Sequence, residues 1–459
     1  MEGYLPQIMA RMPLAEAVLT VWRWISDGAH LESLFERHRG RSYERVLSFP
    51  LLVQLIADAI IEHGGSGRRS FERAKEAGTL SVSVQAAYGK LRRVPISLSM
   101  GFLAECTDRL RSLFPEGATT PLPRSLRDLR VVVLDGKAMK RVAKRLKPLR
   151  GVSGGILGGR ALVALSLDDG LAVAMHAHPD GDANDVRFVP DLLPEVRQRV
   201  SGPRLWLGDR AFCNLEQVVR FNEQADHFLV RRRTNVRFDP DETQVERTGR
   251  DADGRGFIET RGWLGNPNDP RRLYVRQITL ERPGEETIYL ITDLVDARRY
   301  PARDLLQLYA SRWGIERMFQ QVTEVFGLHA LIGGTPEATV FQFAFCLVLY
   351  NIIQVVRGYI ATAQKRSPET ISSEKLFYDV KREITAWSVL VTPPATVAYL
   401  DPHDTRQAVR AHLQRLLTPL WTNRWLRAPP QRRRPHPPAE PSRRTHASVY
   451  RILNAEPTQ

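Results

Sequence analysis

Tyr309, Arg312 and Glu316 recur at i, i+3 and i+7 within Leu308-Tyr309-Ala310-Ser311-Arg312-Trp313-Gly314-Ile315-Glu316-Arg317-Met318-Phe319. On a helix this spacing puts a phenol, a guanidinium and a carboxylate on one face. Two earlier aspartates, Asp135 and Asp209, each end a short β-type apolar run. Three carboxylates presented this way suit divalent metals engaged in phosphoryl transfer. Phosphodiester chemistry needs an activated water or hydroxyl, a stabilised leaving oxygen and neutralised phosphate charge. Two magnesium ions roughly 3.5–4 Å apart supply all three. Mg²⁺ prefers oxygen and is often held by few carboxylates plus water and substrate phosphate. Tyr309 and Arg312 would contact a phosphate backbone beside them, arginine through its rigid fork. Arg312 has a second reading, a salt bridge to Glu316 one turn on. Lys137 and Arg210 follow the two aspartates closely and add basic charge there.

These residues need rigid elements to hold them, and the sequence supplies candidates. Leu129 to Asp135 is a β-branched apolar run. Ala161–Leu167 and Leu171–His178 are strand-like and separated by the turn Asp168-Asp169-Gly170. Asp185–Val200 reads as an amphipathic helix, Leu205–Asp209 as a buried strand, Asn214–Gln224 as a helix and His227–Val230 as a strand. From Arg233 to Glu286 the chain is polar and turn-rich, with strands at Phe257–Trp263 and Leu273–Leu280. Thr287–Thr292 is a further strand, and one long helix over Arg303–Phe326 carries the opening motif.

Residues 1 to about 113 read as helical. Ser48 caps a helix with Pro50 in its first turn, striped by Leu51, Leu52, Leu55, Ile56, Ile60 and Ile61. Ser70 opens a short helix to Ala77, and Ser81 or Ser83 opens another to Arg93. This pair suits a helix-turn-helix unit presenting Gln85, Tyr88, Lys90, Arg92 and Arg93, or a plain hairpin with a solvated basic face. Phe114–Arg124 is a linker. Helices resume to about Leu426, and a tail dense in proline and arginine reads as disordered.

The formal net charge of +15 and pI near 10.0 suit a polyanionic partner, nucleic acid or an anionic membrane surface. Membrane association is disfavoured. The apolar stretch Val340–Val356 contains Gln342, Asn351 and Gln354 and reads as a core helix, and the N-terminus lacks a signal pattern. Cys106, Cys213 and Cys346 are odd in number and far apart, which points to a reducing, cytoplasmic compartment. Gly151–Gly159 lacks the lysine and hydroxyl residue of a phosphate-binding loop. His176, His178 and Asp180 lack the further histidine of a metal-hydrolase site, and Asp180, Asp182 and Asp185 fit turn and cap roles.

The chemistry-bearing residues resemble DDE-type insertion-sequence transposases, specifically the insertion-sequence-four group with its tyrosine-arginine-glutamate-lysine signature. Leu134-Asp135-Gly136 matches the first acidic position and Gly208-Asp209-Arg210-Ala211-Phe212 the second. Tyr309, Arg312 and Glu316 match tyrosine, two residues, arginine, three residues, glutamate. The resemblance covers roughly Leu129 to Leu328. It implies an α/β fold whose core is a ribonuclease-H-like mixed sheet, with Asp135 on the first strand, Asp209 on the fourth and Glu316 on a late helix. The implied layout is a helical DNA-end-binding domain at 1–124, core at 125–232, a β-rich insertion at 233–286 and core again at 287–335. C-terminal helices follow at 336–428, then the tail at 429–459. Asp135, Asp209 and Glu316 would be both catalytic residues and ligands to two Mg²⁺ ions, for which Mn²⁺ substitutes. Tyr309, Arg312, Lys137 and Arg210 would contact DNA, and Trp263 in the insertion would handle a flipped base or serve as a buried hairpin tryptophan. The implied partners are transposon terminal inverted repeats and target DNA, engaged by a homodimer, with no membrane. The signature's lysine falls at position 323, where this chain has Thr323.

Overall fold

In β1 (Arg130–Ala138), Val131, Val132, Val133 and Leu134 are all buried, the pattern of a strand covered on both faces. The computed structural model of the chain describes residues 5–44, 46–140, 144, 146–281, 286–325, 333–400, 403–428 and 446–455. β1 joins β2 (Arg160–Ser166), β3 (Ala172–His178), β4 (Arg204–Gly208), β5 (His227–Arg231), β6 (Phe238–Pro240), β7 (Arg247–Arg250), β8 (Gly256–Leu264), β9 (Leu273–Leu280) and β10 (Ile288–Thr292) in one ten-stranded mixed sheet. The order is β3-β2-β1-β4-β5-β10-β9-β8-β6, with β7 also pairing β8. β1 is antiparallel to β2 and parallel to β4, which is parallel to β5. The C-terminal ends of β1, β4 and β5 therefore share one edge. The turn-rich stretch after Arg233 extends the same sheet, because β10 pairs with β5 on one side and β9 on the other.

Seven helices precede the sheet: α1 (Leu5–Met9), α2 (Pro13–Ile25), α3 (Gly28–His38), α4 (Phe49–Ile61), α5 (Gly67–Glu76), α6 (Val84–Leu91) and α7 (Ile96–Leu113). Strand alternation then separates two cores. Val132, Leu134 and Trp206 face α8 (Val189–Arg199) and α9 (Leu215–Phe221). Val131, Val133, Leu205 and Leu207 face the other way, toward α10 (Ala302–Ser311), α11 (Trp313–Glu324), α12 (Pro336–Ala363) and the N-terminal helices, which share that core. α13 (Ser373–Leu390), α14 (Pro393–Leu400), α15 (Arg406–Leu417) and α16 (Val449–Asn454) complete the chain. Glu383 of α13 accepts hydrogen bonds from the Leu14 and Ala15 N–H groups, serving α2 where its own N-cap does not.

α12 is long and apolar enough to cross a membrane, and its most apolar window is entirely buried inside the protein. Its polar Asn351 accepts a hydrogen bond from the Ala172 N–H and donates to the Ala172 carbonyl and to Thr107 Oγ1. β3 is an edge strand, so Asn351 satisfies backbone groups that would otherwise be buried and unpaired.

Three local expectations differ from the structure. The expected helix over Asp185–Val200 is a 3-10 turn at Asp185–Phe188 followed by α8. α5 is capped by Ser66, whereas Ser70 is buried and donates to the Leu55 carbonyl. The expected single helix from Arg303 divides at Arg312, and its expected end at Phe326 lies outside the described residues. Within the segment expected to be disordered, residues 429–445 lie outside the described residues. Ala447–Ser448 pairs in parallel with Ile156–Leu157 and leads into α16.

Candidate active site

Asp135 keeps the strand parity of Val131 and Val133, so it faces the α11 and α12 side of the sheet. Asp209 is the first residue past β4 and accepts a hydrogen bond from the Ala211 N–H at 2.7 Å, capping the turn Arg210–Phe212. β1 and β4 pair Val133 with Leu207 in parallel, and each aspartate stands two residues beyond that pair. They therefore leave the sheet side by side. Gly136 permits this course for β1: a Cβ there would lie 1.6 Å from Asp185 Oδ2, and Arg160 holds that carboxylate at 2.7 Å.

Tyr309 ends in the last turn of α10 and Glu316 lies in the first turn of α11. At the junction Arg312 N–H bonds the Tyr309 carbonyl and Ile315 N–H bonds the Arg312 carbonyl, each at 3.1 Å. These i−3 bonds tighten the helix, but Arg312 keeps right-handed backbone angles (φ −51°, ψ −35°), so the three side chains stay together. Arg312 Nη2 donates to Glu316 Oε1 at 2.8 Å, which is the expected salt bridge. Its guanidinium also lies over the Tyr309 ring at 5.8 Å and the Trp313 ring at 5.2 Å. Arg312 Nε is buried, and no hydrogen-bond partner faces it among the described residues. Tyr309 donates to the Gly208 carbonyl at 3.4 Å, connecting α10 to the end of β4.

Electrostatics show that the acidic groups share a field. Burial, then the neighbouring Asp209 charge, pushes Asp135 up to about 7, and Glu316 adds to the rise. The Gly136 N–H and Arg312 pull the other way without prevailing. Burial raises Tyr309 to about 12, against the lowering influence of Arg312 and Arg231. Burial alone would lower Arg312, but Tyr309, Glu316 and Asp135 outweigh it and hold its pKa above the usual value. A carboxylate held neutral by burial and like charge is one that a hard divalent cation would stabilise as the anion. Among the described residues, no three His, Cys, Asp or Glu side chains are drawn together as a metal cage. Glu316 is turned onto Arg312 and Asp209 onto its own turn, which accounts for the open arrangement. The donor set is all carboxylate oxygen and fits Mg²⁺ or Mn²⁺.

Lys137, two residues beyond Asp135 on β1, points the same way and sits over the Phe319 ring of α11 at 5.5 Å. Burial lowers its pKa. Thr323 donates to the Phe319 carbonyl at 2.6 Å, a contact within its own helix. Arg210 lies at the mouth of a cleft of about 340 Å³ that adjoins Asp209. Trp263 is not brought to this site. It is exposed on β8, four strands from β4, packed edge-on against Tyr274 with Arg272 over its ring at 5.2 Å. His178 accepts from the Asp180 N–H, and Asp180 pairs with Arg451, so this pair serves the fold.

Sequence reasoning missed Arg231 and Arg233. Both line the cleft beside Asp209. Arg233 donates to the Arg210 and Ala211 carbonyls at 2.7 and 3.2 Å, pinning the turn that follows Asp209. The signal was present as Arg231-Arg232-Arg233 at the end of an apolar run, but only the sheet order sets that run beside Asp209.

Comparison with known proteins bears on the same residues. A protein of Sinorhizobium fredii named "Putative transposase y4zB" is 22% identical over 154 residues, 33% of this chain and 42% of that protein. The alignment thus spans less than half the length of that relative. A cryo-EM structure of the piggyBac transposase synaptic complex with hairpin DNA shares 12% identity and covers 90% of this chain and 85% of that chain. Its TM-score of 0.35 is too low to carry an argument. The family described as the transposase DDE domain matches residues 127–352, a span holding Asp135, Asp209 and Glu316, and with the Sinorhizobium relative it supports a DDE transposase.

Proposed function

We propose that this chain is a DNA transposase that cleaves the ends of an insertion sequence and joins them to target DNA. The observation that carries the reading is the juxtaposition of Asp135, Asp209 and Glu316 with Tyr309 and Arg312 on elements that also match the transposase DDE domain. The strand order β3-β2-β1-β4-β5, antiparallel and then parallel, supports a ribonuclease-H-like core with Asp135 on its first strand and Asp209 past its fourth.

Asp135, Asp209 and Glu316 would hold the divalent ions, with Glu316 leaving Arg312 to do so. Bound there, two ions supply an activated water and neutralise phosphate charge. Arg312 and Tyr309 orient the end phosphates, the guanidinium offering the donor that Glu316 gives up when it turns to the ions. Water opens the phosphodiester at the element's end, and the freed 3′-hydroxyl attacks target DNA. The basic helices within 1–124 would hold the terminal repeats, and two copies of the chain would hold two ends. With Thr323 bonded within its own helix, Lys137, whose ammonium sits over the Phe319 ring of the same helix, is the lysine we place at the phosphates.

The test is incubation with Mg²⁺ or Mn²⁺, linear DNA carrying the terminal repeats that flank the reading frame, and a supercoiled target. Cleaved ends joined to target are expected from the wild type and neither product from Asp135→Ala. If both proteins bind DNA and both are inert, the catalytic reading is lost. Nicked ends that are never joined would instead mark a nuclease.

A further inference from the structure

Arg231 is the last residue of β5, and β5 pairs in parallel with β4 through Gly208 and Val230. One residue further on each strand stand Asp209 and Arg231, so a carboxylate and a guanidinium leave adjacent strand ends together. Ligands to open sheets of this kind gather at the carboxyl ends of parallel strands. The cleft here is lined by Asp209, Arg210, Arg231, Arg232, Arg233 and Glu286, among others.

The arginines of the cleft are not equivalent. Arg232 donates to Gln277 and to the Val236 carbonyl and lies over the Tyr289 ring, so its guanidinium is fixed in the scaffold. Arg233 is committed to the turn after Asp209. Arg231 and Arg210 converge on one carboxylate, Glu286, at 2.8 and 3.7 Å. The Glu286 side chain is 65% exposed, so water competes for it and the pairing is weak in isolation. A single exposed carboxylate between two arginines at the rim of an acidic site occupies the position that the two non-bridging oxygens of a phosphodiester would fill.

We propose that the Arg210–Arg231 cleft is a subsite for a DNA backbone phosphate next to the scissile bond, and that Glu286 holds it as an internal stand-in that the DNA displaces. This rests on the transposase reading above and adds a second phosphate contact on the β5 side of Asp209, opposite Arg312. Displacing Glu286 costs any DNA that enters the cleft part of its affinity, so the cleft favours a backbone that engages both arginines, a selectivity built from an internal competitor.

The experiment measures binding of a short mixed-sequence duplex to the full chain at several salt concentrations. The proteins are wild type, Glu286→Gln, Arg231→Ala, the double variant and Asp135→Asn, with thermal melting to verify folding. Glu286→Gln should bind roughly two- to five-fold tighter. Arg231→Ala should bind more weakly, and its plot of log affinity against log salt should be shallower by about one. In the Arg231→Ala background Glu286→Gln should give a smaller gain, because the closer of the two arginines it masks is gone and only Arg210 remains. An equal gain in both backgrounds means only a change of net charge and overturns the proposal. So does competition by millimolar inorganic phosphate that leaves the Arg231→Ala salt slope at the wild-type value, which would mark a free-anion site. If neither wild type nor Asp135→Asn binds duplex, the transposase reading fails with it. If both bind and Arg231→Ala is indistinguishable from wild type, the cleft alone is wrong.

Discussion

Two carboxylates on strands beside β4, one near each of its ends, stand in opposite conditions: Asp226, just before β5, and Asp135, on β1. At the start of β4, Asp226 is fully buried and accepts from Arg197 Nε, Arg204 N, Arg204 Nη1 and Trp206 Nε1 at 2.9 to 3.2 Å. Near its far end, Asp135 of the neighbouring β1 accepts, among the described residues, only from the N–H of its own neighbour Gly136 and faces Asp209. The first carboxylate has every need met by the protein. The second has its needs left open, and like charge is placed beside it. A half-buried carboxylate with no cation bonded to it among the described residues, one strand from another that is fully paired, marks a place where the missing partner comes from outside.

Substitution at the two positions breaks the contrast most sharply. Asp135→Asn should lower metal-dependent DNA cleavage by on the order of 10³-fold or more while leaving the urea midpoint at or above that of the wild type. Asp226→Ala should do the reverse. It leaves Arg197 and Arg204 buried without their anion, at a cost of about 3–5 kcal/mol in urea unfolding. An Asp226→Ala protein as stable as wild type would remove the distinction.

Divalent ions should sharpen it. Mg²⁺ or Mn²⁺ at a hundred times its dissociation constant should stabilise the wild type by about 2.7 kcal/mol, read as a raised melting temperature. Asp135→Asn and Glu316→Gln should show little of that rise, and Asp226 contributes nothing to it. A similar rise in all three proteins would place the ions elsewhere.

The smallest effect is on pH dependence with chelator present. Burial and Asp209 raise the folded pKa of Asp135 to about 7, above its unfolded value of 3.8. The folded state then binds the proton more tightly than the unfolded one. Its stabilising contribution is complete below the unfolded pKa and is lost as pH rises through about 7. Wild-type stability should therefore fall across this window, and that of Asp135→Asn should fall less. Parallel curves for the two proteins would show that Asp135 does not titrate there.

Much of this was legible in the amino-acid order and part was not. Asp135 and Asp209 announce themselves because each follows a run that only a buried strand accommodates, and Glu316 because of its helical spacing from Tyr309. The break at Arg312 is invisible locally, since its backbone angles stay helical and only two i−3 bonds record the change. Ser66 and Ser70 are equally good caps by residue type; a contact from Ser70 to Leu55, fifteen residues away, decides between them. Arg231 and Glu286 escaped notice for a related reason. Their meaning depends on which strand lies beside which, and that order comes from packing across the whole sheet. Ala447–Ser448 likewise reads as part of a tail until Ile156–Leu157 offers it a partner.

Asn351 has a consequence for how copies of this protein can meet. By pairing both backbone groups of Ala172 it occupies the start of the β3 margin, and on the opposite margin, formed by β6 and β7, β6 ends at Pro240, which has no N–H to donate. At these two points an added strand would find no backbone group free to pair. For two molecules brought close at high concentration, fibrous stacking through these margins would have to start away from Ala172 and Pro240, which narrows the register it can take.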